Sequence, residues 1–245
     1  MVKHIPNIIT SLNLLCGGIA ILLAASGDLV TAAFFVFAGI FFDFFDGLAA
    51  RLLNARSEVG LQLDSLADVI TSGLAPAVVM VQLLSLAVFG TYTDFAEPFS
   101  PDAWNSDLSD YLPFTGLIIA VAAAYRLAKF NVDTRQNDSF IGLPTPANAI
   151  LILSLPLILH FQPTETLDAL ILNKWFLLGL TLFSCIIMNA ELPLFALKFK
   201  SWDFRSNVVR YIFLLLSLLL LIFLKFAALP VIIVVYILIS LFRRN

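Results

Sequence analysis

Apolar segments long enough to cross a bilayer recur along the sequence and limit the folds that this chain can adopt. A helix needs about 20 predominantly apolar residues to span the hydrocarbon of a membrane. Segments close to that length lie at 8–25, 29–51, 65–89, 112–131, 146–161, 174–193, 207–224 and 227–242. With 60% hydrophobic and 13% charged residues, the 245-residue chain is not an ordinary soluble domain. The sequence therefore predicts a multi-span membrane protein.

Helices rather than strands are expected in these segments. Backbone that crosses lipid must satisfy its own hydrogen bonds, so only helices and closed barrels do so. The segments lack the sustained alternation of apolar and polar residues that barrel strands have. We therefore predict an all-α integral membrane protein with about eight transmembrane helices.

The distribution of positive charge predicts an orientation. Cytoplasmic loops collect Lys and Arg. If the N-terminus lies inside, the loop 91–110, with five acidic residues and no basic one, is external, and only Lys174 and Lys225 of the 14 basic residues lie on that side. The cytoplasmic side then holds Lys3, Arg51, Arg56, Arg126, Lys129, Arg135, Lys198, Lys200, Arg205, Arg210, Arg243 and Arg244. We expect the protein to lie in the cytoplasmic (inner) membrane with both termini on the cytoplasmic side.

Aspartates interrupt the apolar pattern at two neighbouring places. Asp43 and Asp46 lie in the second apolar segment, and Asp64 and Asp68 lie at the start of the third. A carboxylate inside a membrane costs at least a few kcal/mol, so such a residue indicates function and a place in the bundle interior. Spacings of three and four residues put each pair on one face of its helix. If these helices are neighbours, the carboxylates converge at the cytoplasmic side.

Converging carboxylates predict a site for divalent cations. Close carboxylates repel one another unless cations neutralise them. Mg²⁺ or Mn²⁺ binds carboxylate oxygens together with substrate phosphates, and two such ions about 4 Å apart can clamp a phosphoryl transfer. His4 and His160 stand alone, and Cys16 and Cys185 have no CxxC spacing, so the sequence indicates neither zinc nor a disulfide framework.

The residues that follow Asp46 suit a phosphate-bearing ligand. Gly47, Ala49 and Ala50 leave room beside the helix, and Arg51 presents a fork of donors to phosphate oxygens. The alternative is that the small residues only permit close helix packing and that Arg51 only follows the positive-inside distribution.

The spacing of these residues resembles the signature of the CDP-alcohol phosphotransferases. Asp43-x-x-Asp46-Gly47-x-x-Ala50-Arg51, eight residues, Gly60-x-x-x-Asp64-x-x-x-Asp68 agrees with that signature at every position. The resemblance implies the helical bundle of that family and a displacement of CMP from a CDP-linked lipid by an alcohol, with two divalent ions. It implies metal binding by Asp43, Asp46, Asp64 and Asp68, and it makes Asp68 the catalytic base as well.

The resemblance also implies where CDP and the acceptor bind. The stretch "PNIIT" is similar to the first-helix motif of the family, although Pro6 can equally mark a simple helix start. The CDP site implied in this way consists of Asn7, Thr10, Asp46, Gly47, Ala50, Arg51, Ser57 and Gly60. "AAAYRLAKFNVDTR" and "FIGLPTPANA" resemble the serine-using branch. Arg126 and Lys129, one turn apart, are expected to bind the acceptor carboxylate or a lipid phosphate, unless they only snorkel to the interface.

The expected substrates are CDP-diacylglycerol and L-serine, with membrane lipids and a second copy of the chain as partners and no nucleic acid. We expect one transmembrane domain, 1–245, with a catalytic core at 1–193 and a C-terminal helix pair at 194–245. Another acceptor, glycerol 3-phosphate or an inositol phosphate, remains an alternative. A cation-coupled transporter is a second alternative, although its carboxylates would be expected near the midplane on broken helices.

Overall fold

The computed structural model describes residues 4–95, 108–133, 139–195 and 203–242. These residues form a helical bundle. Its α-helices are α1 Ile5–Ala25, α2 Leu29–Leu52, α3 Glu58–Asp68, α4 Ala75–Phe89, α5 Ile118–Val132, α6 Thr145–Phe161, α7 Glu165–Ile171, α8 Lys174–Asn189, α9 Phe204–Leu224 and α10 Ala228–Phe242. Two short strands, β1 Ser139–Ile141 and β2 Pro193–Phe195, pair antiparallel with Ser139 opposite Phe195.

Helices α1 and α2 form a tight antiparallel pair because the connection between them is short. Gly27 adopts a positive φ of 89°, which glycine tolerates without strain. The next residue, Asp28, caps α2, since its carboxylate accepts a hydrogen bond from the backbone N–H of Thr31 at 3.0 Å. Small buried side chains, among them Ala24 and Ala32, line the contact and let the two helices approach closely.

Helices α3 and α4 belong to one 32-residue span, Glu58–Phe89, that contains a π-helical turn at Val69–Leu74. Pro76 lies in the first turn of α4, where the absence of a backbone N–H costs least. Every residue from Ala75 to Ser85 is buried, so α4 is the central helix of the bundle.

The count of eight spans is not confirmed. By length and composition, five described helices qualify as spans, or six if α7 and α8, bent by 59°, count as one. Helix α6 is apolar, but with 17 residues it is shorter than the helices that qualify as spans. One of the five, Asn207–Phe242, is long enough to count as a single span, but it contains α9 and α10, which fold back on each other. The rings of Phe213 and Tyr236 lie 5.8 Å apart, whereas 23 positions along a straight helix would cover about 35 Å.

The turn of this C-terminal hairpin is attached to α6. The side chain of Gln162 donates to the carbonyl of Leu224 at 3.1 Å and accepts from the N–H of Ala227 at 3.1 Å. Phe226 stacks on Phe161 with a centroid distance of 5.0 Å. These contacts satisfy backbone groups at the turn, where Lys225 has a positive φ of 51°.

The β1–β2 pair was not expected from the sequence. Strand β1 lies between α5 and α6, and β2 follows α8. The span predicted at 174–193 therefore ends early, at Asn189. The segment between β1 and α6 is hydrogen-bonded to the end of α8, because the backbone N–H of Leu143 donates to the carbonyl of Ile187 at 3.0 Å.

Several residues used to predict orientation lie outside the described residues. They are Lys3, Arg135, Lys198, Lys200, Arg243 and Arg244, and the same holds for most of the acidic loop and for the side chain of Arg205. The orientation stays a prediction.

We predict that Gly142→Ala destabilises the protein by about 2 kcal/mol or more. Gly142 has a φ of 73°, and an added Cβ would collide with the carbonyl oxygen of Met188. The measurement is thermal denaturation in detergent. Gly179→Ala is the matched control, because Gly179 is exposed on α8 with no atom near the added Cβ. Equal melting temperatures for the two variants would contradict the prediction.

Candidate active site

Three of the four aspartates meet between the C-terminal half of α2 and the middle of α3. One carboxylate oxygen from each of Asp43, Asp46 and Asp64 lies within 4.8 Å of the others. The spacing of Asp43 and Asp46 puts both on the face of α2 that looks toward α3. Asp46 is buried, and the other two are half-buried. These three residues are called the carboxylate trio below.

Asp68 lies one helical turn beyond Asp64 and outside the trio. Its carboxylate is 3.5 Å from the side-chain amide of Asn13 on α1. It lines the same cavity as the trio, so the structure brings all four aspartates to one cavity while separating Asp68 from the tight cluster.

Two cavities open at this end of the bundle. The first has a volume of about 560 Å³ and is bounded by the starts of α1 and α3 and the end of α2. All eight residues predicted for the CDP site line it: Asn7, Thr10, Asp46, Gly47, Ala50, Arg51, Ser57 and Gly60. The first cavity therefore carries several polar side chains, is open beside α2 and lies within the size range of small-molecule sites.

Hydrogen bonds fix two walls of the first cavity. The Thr10 hydroxyl donates to the Asp46 carboxylate at 2.5 Å, which joins α1 to α2. Ser57 caps α3 by accepting from the N–H of Gly60 at 3.0 Å. A Cβ at Gly60 would lie 3.1 Å from the side-chain oxygen of Asn7, so glycine keeps the start of α3 close to α1.

The second cavity, of about 490 Å³, lies on the other side of the trio. The four aspartates, Arg126 of α5 and Thr145 of α6 all line it. Five residues line both cavities and form the boundary between the two: Asp46, Gly47, Arg51, Leu61 and Asp64.

Arg126 and Thr145 bring unpaired polar atoms to the second cavity. Arg126 is 7% exposed and Thr145 is fully buried. Neither the Arg126 Nε nor the Thr145 hydroxyl has a hydrogen-bond partner among the described residues. Because buried polar groups are nearly always paired, two unsatisfied groups on residues that line one cavity distinguish this wall from an ordinary helix interior.

Lys129 has a different environment from Arg126. Its ammonium group forms an ion pair with Glu191 at 3.3 Å, and it does not line the second cavity. It shares with Arg126 only a narrow space beside Asn189. Of the two cations predicted to bind the acceptor, the structure therefore places Arg126 beside the aspartates and Lys129 outside the second cavity.

Sequence reasoning missed several polar residues of this region. Asn13 follows Asn7 and Thr10 at helical spacing, so the period of α1 contained a signal for it. Ser65 and Asn131 join α3 to α5 at the second cavity, since the Asn131 amide donates to the Ser65 hydroxyl at 2.9 Å. Nothing in the sequence distinguishes Thr145 from an ordinary first-turn residue.

The fold and site define the class of protein. A helical membrane bundle carries a carboxylate cluster between two cavities at one of its ends. The sequence agrees with the family model of CDP-alcohol phosphatidyltransferases over residues 3–190. The chain belongs to this family, and it is a membrane-bound transferase.

Named relatives belong to one branch. The CDP-diacylglycerol–serine O-phosphatidyltransferase of Bacillus subtilis (strain 168) is 37% identical over 148 residues, covering 59% of this chain and 70% of that protein. The Helicobacter pylori (strain 26695) protein of the same name is 32% identical over 214 residues, covering 85% and 79%. The archaetidylserine synthase of Methanothermobacter thermautotrophicus is 31% identical over 153 residues, covering 61% and 56%.

Proposed function

We propose that this chain transfers the phosphatidyl group of CDP-diacylglycerol to the hydroxyl of L-serine, giving phosphatidylserine and CMP. The observation that carries the proposal is the pair of cavities that meet at Asp46 and Asp64. One cavity suits a nucleotide diphosphate and the other a small charged acceptor. The names of the relatives from Bacillus subtilis and Helicobacter pylori support serine as that acceptor.

The first cavity is the proposed CDP site. Gly47 and Ala50 leave the side of α2 open to a flat ring, and Arg51 offers paired donors to phosphate oxygens. Asn7 and Thr10 supply polar groups from α1, and Ser57 and Gly60 bound the site at the start of α3. The diphosphate would then lie over the carboxylate trio.

The trio fits hard divalent ions. Its donors are carboxylate oxygens alone, within 4.8 Å of one another, which is the donor set that Mg²⁺ and Mn²⁺ prefer. We propose that Asp43, Asp46, Asp64 and Asp68 hold two such ions. When bound, these ions would withdraw charge from the diphosphate and stabilise the leaving phosphate.

Asp68 is the proposed base. It lies in the second cavity beside the trio, where it can accept the proton of the serine hydroxyl. The serine oxygen then forms a bond to the lipid-side phosphorus while the bond from that phosphorus to the oxygen of the CMP phosphate breaks. The proton remains on Asp68, and CMP leaves on the side of the first cavity. Positioning and electrostatics carry most of the rate gain in such a transfer.

Arg126 is the proposed partner of the serine carboxylate. It is the buried cation of the second cavity, and its Nε lacks a hydrogen-bond partner among the described residues. Lys129 adds positive charge at the cytoplasmic edge. A phosphorylated acceptor such as glycerol 3-phosphate requires more converging cations, which favours serine.

The position of the carboxylates argues against a cation-coupled transporter. Asp43 and Asp46 lie on an unbroken helix in its last three turns, and the site is at one end of the bundle. A transporter of this size would hold them near the midplane on interrupted helices.

We further propose that the protein lies in the cytoplasmic membrane with both termini and the active site on the cytoplasmic side. It would act as a homodimer, with a catalytic core at 1–193 and a C-terminal helix pair at 194–245. Accessibility labelling of single cysteines at each terminus tests the orientation.

We predict that purified protein releases CMP from CDP-diacylglycerol when L-serine is supplied, and that glycerol 3-phosphate or inositol phosphate in its place gives little release. Radiolabelled acceptors identify the lipid product.

Asp68→Asn, which removes the base and preserves shape, is expected to lower kcat by about 10²-fold or more while CDP-lipid binding persists. Wild-type turnover by this variant would contradict the role of Asp68.

Chelation gives a further prediction. Excess EDTA should abolish CMP release, and adding back Mg²⁺ or Mn²⁺ should restore it, because uncompensated carboxylates repel the diphosphate. The assay is CMP release before and after metal is returned. Activity that persists in EDTA would exclude the proposed ions.

Arg126→Gln should raise the KM for serine by about tenfold or more and change the KM for CDP-diacylglycerol little, since a buried charged hydrogen bond is worth about 1.5–3 kcal/mol. Lys129→Gln is the matched comparison, with a smaller effect because Lys129 forms an ion pair outside the cavity. If Arg126→Gln changed only the KM for CDP-diacylglycerol, Arg126 would bind lipid phosphate instead.

A further inference from the structure

A buried junction of three helical segments lies behind Asp68, on the side away from the carboxylate trio. Asn13 and Gly17 of α1, Gly39 of α2 and Thr71 of the π-helical turn form it, and it is called the Asn13–Thr71 junction below. None of these residues belongs to the aspartate signature. Asn13 and Thr71 are both fully buried.

Two hydrogen bonds cross the junction. The Thr71 hydroxyl donates to the backbone carbonyl of Asn13 at 3.0 Å. The side-chain amide of Asn13 in turn faces Asp68, with its nitrogen 3.5 Å from one carboxylate oxygen. The side-chain oxygen of Asn13 has no hydrogen-bond partner among the described residues, so Asp68 is the polar contact that orients this side chain.

The glycines make these contacts possible. A Cβ at Gly17 would collide with the Thr71 hydroxyl and lie 2.9 Å from the Thr71 Cα. A Cβ at Gly39 would lie 2.9 Å from the Asn13 amide oxygen and 2.6 Å from the Thr71 methyl. Backbones therefore approach closely here, and close packing leaves Asn13 little room to rotate.

The backbone of the third segment also changes at this point. The π-helical turn Val69–Leu74 begins at the residue after Asp68 and contains Thr71. Such turns are rare and occur frequently at functional sites. The turn places Asp68 on the cavity side and Thr71 on the α1 side of the same short segment.

We propose that Asn13 is a positioning residue for Asp68 and that Thr71 holds Asn13 in place. The inference rests on the proposed role of Asp68 as the base. The Asn13 amide binds one oxygen of the Asp68 carboxylate and fixes its plane. The second oxygen then points to the cavity, where it receives the proton of the acceptor hydroxyl.

Variants of Asn13 and Thr71 test the proposal through kcat. Asn13→Ala removes the amide, and Thr71→Val keeps the shape of Thr71 but removes the hydroxyl. Both should lower kcat about tenfold, because a misplaced base loses reaction geometry, and the KM for CDP-diacylglycerol should stay within about twofold. Thr71→Ser keeps the donor and should retain most of the activity.

Ser72→Ala is the matched control. Ser72 is the next residue of the π-helical turn, fully buried, with a hydroxyl that has no hydrogen-bond partner among the described residues. Its kcat should equal that of the wild type. Melting temperatures of all four variants, measured in the same detergent, separate positioning from folding.

Two results would overturn the inference alone: wild-type kcat in both Asn13→Ala and Thr71→Val, or losses of activity that follow melting temperature across all variants, Thr71→Ser and Ser72→Ala included. Absence of CMP release from the wild-type protein with every acceptor would overturn the proposed function and this inference with it.

Discussion

Holding several carboxylates together in a low-dielectric helical bundle is the constraint on which the rest of this structure depends. The trio brings negative charges within 4.8 Å of one another, and no helix would bury such a cluster without compensation. Part of the compensation is local, since Thr10 donates to Asp46 and Asn13 lies beside Asp68. It requires α1 to lie close to α2 and α3, and glycines at 17, 39 and 60 permit that approach. Under the proposed function, divalent cations and the substrate supply the remainder.

Much of the site could be predicted from the sequence because its signals are local. Intramembrane aspartates are costly, and spacings of three and four residues define a helix face without knowledge of the fold. The eight residues that the family resemblance assigned to the CDP site line one cavity. Helix limits were most accurate where a cap or glycine marks them, as at Asp28 before α2 and Gly90 after α4, whereas the start of α3 at Glu58 lies seven residues before the predicted one.

Other features depend on tertiary contacts that no short pattern carries. The π-helical turn, the β1–β2 pair and the hairpin at Lys225 arise from packing between distant segments, and no periodicity distinguishes them. Lys129 and Arg126 are one turn apart in the sequence, yet Glu191 draws only Lys129 into an ion pair. Thr145 becomes notable only because its hydroxyl, buried beside the aspartates, lacks a hydrogen-bond partner among the described residues. Where a partner is described, it lies more than 30 residues away in the sequence.

The position of α6 links the C-terminal hairpin to the rest of the molecule. One end of α6 carries Thr145 into the second cavity, and beyond its other end Gln162 binds both sides of the hairpin turn. The family match ends at residue 190, before that hairpin begins. A protein shortened to the matched region would therefore lose the contacts between the C-terminal hairpin and α6, the helix that contributes Thr145 to the second cavity. Sequence gained or lost after residue 190 in related chains would alter the rigidity of that cavity without touching a single residue of the signature.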